Sequence, residues 1–364
     1  MEKKSVKLYQ AVYNDIIAKI KSGELKVGQK LPTEIELTKI YGVSRITVAR
    51  ALKDLSDANL IYRVKGSGTY VNGKLNRSTP LVIPTILPFE ESWNDIMKGI
   101  QSTALSHNVF TPLYNSKNNI DHERRYLWEI LKNNLDGLIV YPCTSLENLD
   151  LYAEILARNI PIVCIDRPIE GLSVPLVTTT NTDCMRQIVN CLVKQGHTKI
   201  GFFSVDDHMV STERDRFKGY CRGMIENRLP LKKEYIFNTS DMHKRELSIT
   251  QDQQEVILRK YVKRELTKYL ELEDKPTAVC CLNDSTMDTL TQVAGQMGIK
   301  IPDELTLTGF DCVDIEKALK EGYLCARQDF YALGSTAVSL MLKILNGEPY
   351  PDEVRVQGIL INEA

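Results

Sequence analysis

The chain has 364 residues, with 46 Lys and Arg against 47 Asp and Glu, a formal net charge of -1, and 43% hydrophobic and 26% charged residues. This composition excludes a disordered or collagen-like chain, and the length suits two or three domains of ordinary size. No apolar run reaches the roughly 18 residues of a membrane span, and the opening MEKKSVKLYQAVYNDIIAKI has a helical rather than a secretory pattern, so a cytoplasmic protein is expected. The charge is unevenly spread. Residues 1–74 hold 14 basic and 7 acidic side chains, a net of +7, whereas the rest hold 32 and 40, a net of -8. Opposite halves point to a basic module that meets a polyanion and an acidic module with another task.

The first predicted element runs from Val6 to Ile20, where Leu8, Val12, Ile16 and Ile20 recur every four positions and Ser22-Gly23 ends the pattern. In GQKLPTEIELTKIYG, Thr33 and Glu36 form a capping-box signature, Leu37 and Ile40 supply the expected inward face, and Gly42 stops the helix. A third helix follows in VSRITVARALKDL. Ser44 is its N-cap, Val48, Ala51, Leu52 and Leu55 share one side, and Ile46, Ala49, Arg50 and Lys53 share the other. A short helix, a tight turn and a third helix with a basic outer face predict a helix-turn-helix able to enter a major groove. Next, LIYRV and TYV flank KGSG, which reads as a hairpin whose Gly-rich tip can approach a partner closely. The same glycines could be offered as a nucleotide loop, but the third Gly and the strand-to-helix context of a dinucleotide fingerprint are missing.

The segments SGELKVGQKLPTEIEL, YGVSRITVARAL and RVKGSGTYV resemble, in order and spacing, the winged helix-turn-helix DNA-binding domain of the GntR regulators. The resemblance implies a DNA-binding set of Thr33, Glu34, Ser44, Arg45, Thr47, Arg50, Lys53, Lys65, Gly66, Ser67 and Gly68. Within that set Arg45 and Thr47 would contact the operator, and the two glycines would let the wing reach the minor groove. Ile35 and Ala49 stand where the family often has Arg, and Arg50 and Lys53 are the residues placed to take over that contact.

The polar NGKLNRSTP reads as a flexible linker, giving a DNA-binding domain at 1–72, a linker at 73–80 and a larger domain at 81–364. Beyond it the strands LVIPTIL, VFTPLYN, DGLIVYP, IPIVCID, LVTTTN, KIGFFSV, TAVCCL and LTLTGFD alternate with helical stretches such as ERRYLWEILKNN and MRQIVNCLVKQG. Apolar strands separated by helices predict parallel sheets covered on both faces. The size favours two α/β subdomains with a cleft between them, with ligand groups at the carboxyl ends of the strands. Asp166, Asn283-Asp284 and Asp311 follow strands, and Arg216 lies on the helix after KIGFFSV. Carboxylates, an amide and an Arg suit a small polyhydroxylated ligand, although Asp and Asn after strands also serve as caps and turn residues.

The motifs CIDRP, GHTKIGFFS, RFKGY, PTAVCCLND, IPDELTLTGFD and RQDFYALG resemble the periplasmic-binding-protein-like sugar sensors of the LacI regulators. By that resemblance the effector contacts fall on Asp166, Arg216, Asn283, Asp311 and Gln328, with Trp93 in the place of a stacking aromatic. YNSKNNIDHERR followed by LDGLIVYP is similar to sugar-operon repressors that respond to L-arabinose, which would bring Asn118 and Glu123 near the pocket. The joint resemblance implies a homodimeric repressor that binds double-stranded operator DNA, with no membrane and no cofactor.

An enzyme on the α/β scaffold is the competing reading. It lacks support in the sequence: there is no GxSxG elbow, phosphate loop or HExxH, and the five His have no metal-ligand spacing, so neither a catalytic nor a metal site is expected. Asp206-Asp207 could hold a cation or act as acid and base, but a solvated loop is the simpler reading. The nine Cys are scattered without paired CxxC spacing and read as reduced, mostly buried residues.

Overall fold

A computed structural model describes residues 2–26, 28–57, 60–64, 66–71, 80–88, 94–133, 135–204, 210–238 and 251–363. The linker expected at 73–80 falls outside them except for Pro80, and Lys65, Trp93 and Asp206-Asp207 lie outside them altogether.

The N-terminal unit comprises α1 (Glu2–Lys21), α2 (Glu34–Tyr41), α3 (Arg45–Asp57), β1 (Ile61–Val64) and β2 (Gly68–Val71). Thr33 makes the expected capping box with Glu36, and Gly42 closes α2 in the left-handed conformation at φ 62°. The β1–β2 pair is an antiparallel hairpin with Val64 opposite Gly68. Val12, Ile16, Leu37, Val48, Ala51, Leu52, Leu55 and Ile61 form one buried cluster, so the spacing read from the sequence does place α3 against α1 and α2. Ile40 departs from expectation. It is 58% exposed, because Tyr41 turns inward instead and its hydroxyl donates to Asp15 at 2.5 Å.

The larger unit begins with β3 (Leu81–Val82), β4 (Thr85–Leu87), α4 (Asn94–Ser106), β5 (Val109–Phe110), β6 (Leu113–Asn115), α5 (Ile120–Lys132), β7 (Leu138–Val140), α6 (Leu149–Ala157), β8 (Ile162–Ile165) and β9 (Leu176–Thr179). Two of the predicted strands are split: LVIPTIL breaks at Pro84 and VFTPLYN at Pro112, where a ladder donor is missing. There follow α7 (Asn181–Lys194), β10 (Ile200–Ser204), α8 (Ser211–Glu226), β11 (Ile236–Asn238), α9 (Gln251–Glu271), β12 (Ala278–Cys281), α10 (Asp284–Gln296), β13 (Thr306–Asp311), α11 (Ile315–Glu321) and β14 (Cys325–Arg327). The chain closes with α12 (Phe330–Leu345), β15 (Glu353–Val356) and β16 (Ile359–Ile361).

Twelve of these strands make two six-stranded sheets, ordered β15-β9-β8-β7-β4-β6 and β11-β10-β12-β13-β14-β16, and β3 pairs with β5 in a separate parallel two-stranded sheet. All pairs are parallel except β14 with β16. Each six-stranded sheet is sandwiched between two apolar clusters, as continuous apolar strands require. The chain passes between the two lobes three times, from β9 to α7, from β14 to α12 and from β15 to β16. Gly358 lies in the third crossing and donates its N–H to Thr180 Oγ1 in the first at 3.2 Å, so these two crossings are tied together.

Candidate functional site

On the basic unit, Ser44 caps α3 by accepting from the Thr47 N–H at 3.2 Å, and the two hydroxyls lie 2.8 Å apart. This fixes the first turn, from which Arg45 projects with 74% of its side chain exposed. Glu34 joins three elements, since it accepts from Arg45 Nε at 3.3 Å and from Arg63 Nη2 of the wing at 2.5 Å. Partial burial works against its charge, but hydrogen bonds from Arg63 and then Arg45 hold its carboxyl below the ordinary range. Arg50 is exposed, with its guanidinium 4.2 Å from the centre of the Tyr9 ring, and Lys53 is exposed on the same side of α3. At the wing tip Gly66 has φ 79° and Gly68 φ 144°, and Ser67 Oγ lies 2.6 Å from the Tyr70 hydroxyl. Among the described residues these side chains give the unit three guanidinium groups on its outer surface, those of Arg45, Arg50 and Arg63.

In the larger unit the carboxyl ends of the strands converge where the three crossings lie. Asp166 follows β8 at φ 64° and Asp311 ends β13 at φ 89°, both in the left-handed region that short polar side chains tolerate. Arg216, on the second turn of α8, reaches across this end of the sheet. It donates to Asn181 Oδ1 at 2.9 Å, to the Leu282 carbonyl at 2.8 Å and to Asp311 Oδ1 at 2.9 Å, and its guanidinium lies 3.8 Å from the centre of the Phe310 ring. Gln328 donates to the same Asp311 oxygen at 2.6 Å and accepts from Thr179 across the lobe boundary. Asp166 accepts from the Tyr141 hydroxyl at 2.8 Å, while its Oδ1 is buried without a hydrogen-bond partner among the described residues. Burial raises its pKa, a shift that the nearby Arg216 and Arg167 oppose.

The structure therefore brings Asp166, Arg216, Asp311 and Gln328 together. Asn283 stands at the neighbouring strand end and caps α10, accepting from the Thr286 N–H at 2.9 Å and its hydroxyl at 2.7 Å. Asn118 is exposed in the turn before α5 at φ 50°. Glu123 is fully buried, and its carboxylate accepts from the Cys143 N–H at 2.6 Å and from Asn148 Nδ2 at 2.9 Å. In this conformation it anchors the loop after β7 rather than facing an open cleft. Sequence reasoning did not single out Tyr141, Thr179 or Asn181. Thr179 and Asn181 end LVTTTN in the same post-strand position that selected Asp166, so the signal was present and was not applied there.

Residues 8–71 match the family described as bacterial regulatory proteins, gntR family, and residues 189–362 match the periplasmic binding protein-like domain. The chain is thus a DNA-binding regulator made of a GntR-type reader and a periplasmic-binding-protein-like module. The arabinose metabolism transcriptional repressor of Geobacillus stearothermophilus is 25% identical over 354 residues, spanning 95% of this chain and 93% of the relative. Among solved structures, the transcription regulator CcpA of Lactococcus lactis superposes with a TM-score of 0.64 at 17% identity, over 78% of this chain and 97% of that one. A LacI family transcriptional regulator from Enterococcus faecium with bound ribose gives a TM-score of 0.61 at 20% identity, over 77% and 96% of the two chains. Both likenesses establish the two-lobed fold. Among the described residues no helix is long and apolar enough to cross a membrane, and no group of three or more His, Cys, Asp or Glu side chains could hold a metal ion.

Proposed function

We propose that this protein is a cytoplasmic homodimeric repressor of sugar-utilisation genes that leaves its operator when a small neutral sugar enters the cleft, with L-arabinose the first candidate. The observation that carries the ligand reading is the Asp166 Oδ1, a buried acceptor without a donor among the described residues, beside the Arg216–Asp311 pair at the carboxyl ends of the parallel strands. A buried unpaired acceptor costs about 1–3 kcal/mol, which a ligand hydroxyl would recover. Arg216 is paired with Asp311, and Arg167, whose Nη1 donates to the Cys143 carbonyl, lies beside Asp166, so each guanidinium here faces a carboxylate. That balance favours a polyol over a sugar acid or phosphate. Asp166, Arg216, Asn283, Asp311 and Gln328 are the proposed contacts, with Trp93 stacking, Asn118 at the rim and Glu123 holding the loop after β7 from behind. The name of the Geobacillus stearothermophilus relative supports arabinose among sugars.

The unit at 1–72, joined by a linker at 73–80 to the unit at 81–364, would place two readers on half-sites related by two-fold symmetry. Sugar closing the cleft moves one lobe of each subunit against the other and takes the readers out of register with the half-sites. A thermal-shift screen of pentoses and hexoses tests the ligand, because a molecule bound only by the folded state raises its stability. L-arabinose should raise the midpoint and release a bound operator fragment. A shift with a phosphorylated sugar and none with any neutral sugar would refute the reading.

A further inference from the structure

On α3 the core side is complete: Val48, Ala51, Leu52 and Leu55 are each no more than 2% exposed. At 100° per residue Ile46 points almost directly away from that side, between Arg45 and Thr47 and one turn before Arg50 and Ala49. It is 82% exposed, near the top of the range for large apolar side chains in this chain. A lone exposed Ile needs no explanation on an ordinary surface. Here it occupies the middle of a face otherwise made of Arg45, Arg50, Lys53 and the Thr47 hydroxyl, in the helix turn whose residues reach base edges when such a helix lies in a major groove. A hydrocarbon side chain can neither donate nor accept, so it reads no hydrogen-bonding edge. The apolar group that the major groove presents is the thymine C5-methyl.

We propose that Ile46 is a specificity-determining residue that packs against a thymine C5-methyl in each operator half-site. The proposal rests on the DNA-binding reading above and adds a base preference at one position. Arg45, tethered to Glu34, and Thr47, tethered to Ser44, bracket Ile46 with polar groups suited to the flanking bases and phosphates. Ala49, half-buried beside it, carries no long side chain that would hold the helix off the groove floor. A recognition helix with this centre should therefore reject cytosine, which offers an amino group and no methyl at the same place.

The test uses the full-length protein. An operator is first selected from a pool of random duplexes; failure to enrich any sequence would overturn the regulator reading itself, and this inference with it. Each thymine of the enriched site is then replaced, symmetrically in both half-sites, by deoxyuridine, which removes only the C5-methyl. At one thymine position the replacement should weaken wild-type binding about fourfold per half-site, the effect of burying one methyl group. Ile46→Ser should bind the thymine and deoxyuridine duplexes equally, with an unfolding midpoint unchanged from wild type because the side chain contributes nothing to the core. A wild-type protein indifferent to deoxyuridine at every position, or an Ile46→Ser variant with the full penalty retained, would overturn the assignment while leaving the regulator reading intact.

Discussion

The Arg216 guanidinium donates to Asp311 Oδ1 at 2.9 Å from a side chain that is only 6% exposed, and the same oxygen accepts from Gln328 at 2.6 Å. One carboxylate oxygen thus joins α8 to the start of the segment that leads back into the other lobe. The Thr179 hydroxyl, which donates to Gln328, extends the chain of hydrogen bonds to the end of β9. A ligand that replaced any member of this set would act directly on the lobe junction, which is where a sensor has to convert binding into motion.

Arg216→Met should remove the donor from Asp311, Asn181 and the Leu282 carbonyl at once. Breaking a buried charge pair from one side costs roughly 3–5 kcal/mol, and Asp311, at 23% exposure, retains enough water to place the loss at the lower end. Urea denaturation should therefore show a loss of about 3 kcal/mol, and calorimetry no sugar binding. Arg216→Lys keeps the charge but not the fork, and should recover stability only in part. Equal stability of wild type and Arg216→Met would mean that the network does not hold the lobe together.

Asp284 gives a pH dependence with a definite sign. Burial, reinforced by the charge of Asp311, raises its carboxyl from the ordinary 3.8 to about 7, against the opposing hydrogen bond from the Val313 N–H and the more distant Arg216. Asp288, the other nearby acid, pushes in the same direction as Asp311 and is paired with Lys317. Between the two pKa values the folded chain holds a proton that the unfolded chain has released. Stability from this group should thus be full below about pH 4, decline as pH rises towards 7, and stay level above, by up to about 4 kcal/mol in total. Unfolding curves of wild type and Asp284→Asn recorded from pH 4 to 8 check this. The difference between them should slope across that window, and a flat difference would refute the assignment.

Glycines at one helix interface should behave oppositely to a glycine in open space. A Cβ on Gly99 of α4 would lie 2.1 Å from the Tyr331 carbonyl oxygen, and one on Gly334 of α12 would lie 2.2 Å from the Ile96 carbonyl oxygen. The two helices therefore touch backbone to backbone, and Gly334→Ala must push them apart at a cost of about 1–3 kcal/mol. Gly295 of α10 has nothing within 4 Å of its Cβ position and does not require a positive φ. Gly295→Ala should stabilise by about 0.4–1 kcal/mol. Thermal unfolding of both variants, with shifts of opposite sign, is the expected result.

The reader was legible in the sequence because its signals are local. Thr33 with Glu36, Ser44 before a periodic helix, and Gly66 and Gly68 between two short strands each act within a few residues. The alternating strands and helices of the larger unit were legible for the same reason, apart from the breaks at Pro84 and Pro112. The last crossing was not: EVRV and ILI pass as short polar-flanked segments, and only pairing with β9 and β14 makes them strands. Thr179 and Asn181 carry only the local signal of polar residues at a strand end, and their partners, 149 and 35 positions away, are supplied by the fold. Glu123 shows the converse difficulty, since the resemblance would bring it near the pocket and it is enclosed instead by the loop after β7.

The two units should be separable by mutation yet coupled by linkage. Arg45 is exposed and donates to Glu34 within its own unit, so Arg45→Ala should weaken operator binding at least tenfold and leave sugar affinity unchanged. Lys53→Ala, which removes one exposed cation from the same face, should instead lower the slope of log affinity against log salt by about one, uniformly across sequences. Reciprocity then sets a stricter condition. If sugar lowers operator affinity by some factor, saturating operator must lower sugar affinity by the same factor. Calorimetric titration of sugar into the free protein and into its operator complex measures both sides. Equal sugar affinities in the two titrations would rule out release by coupled lobe closure, whatever the DNA-binding variants do.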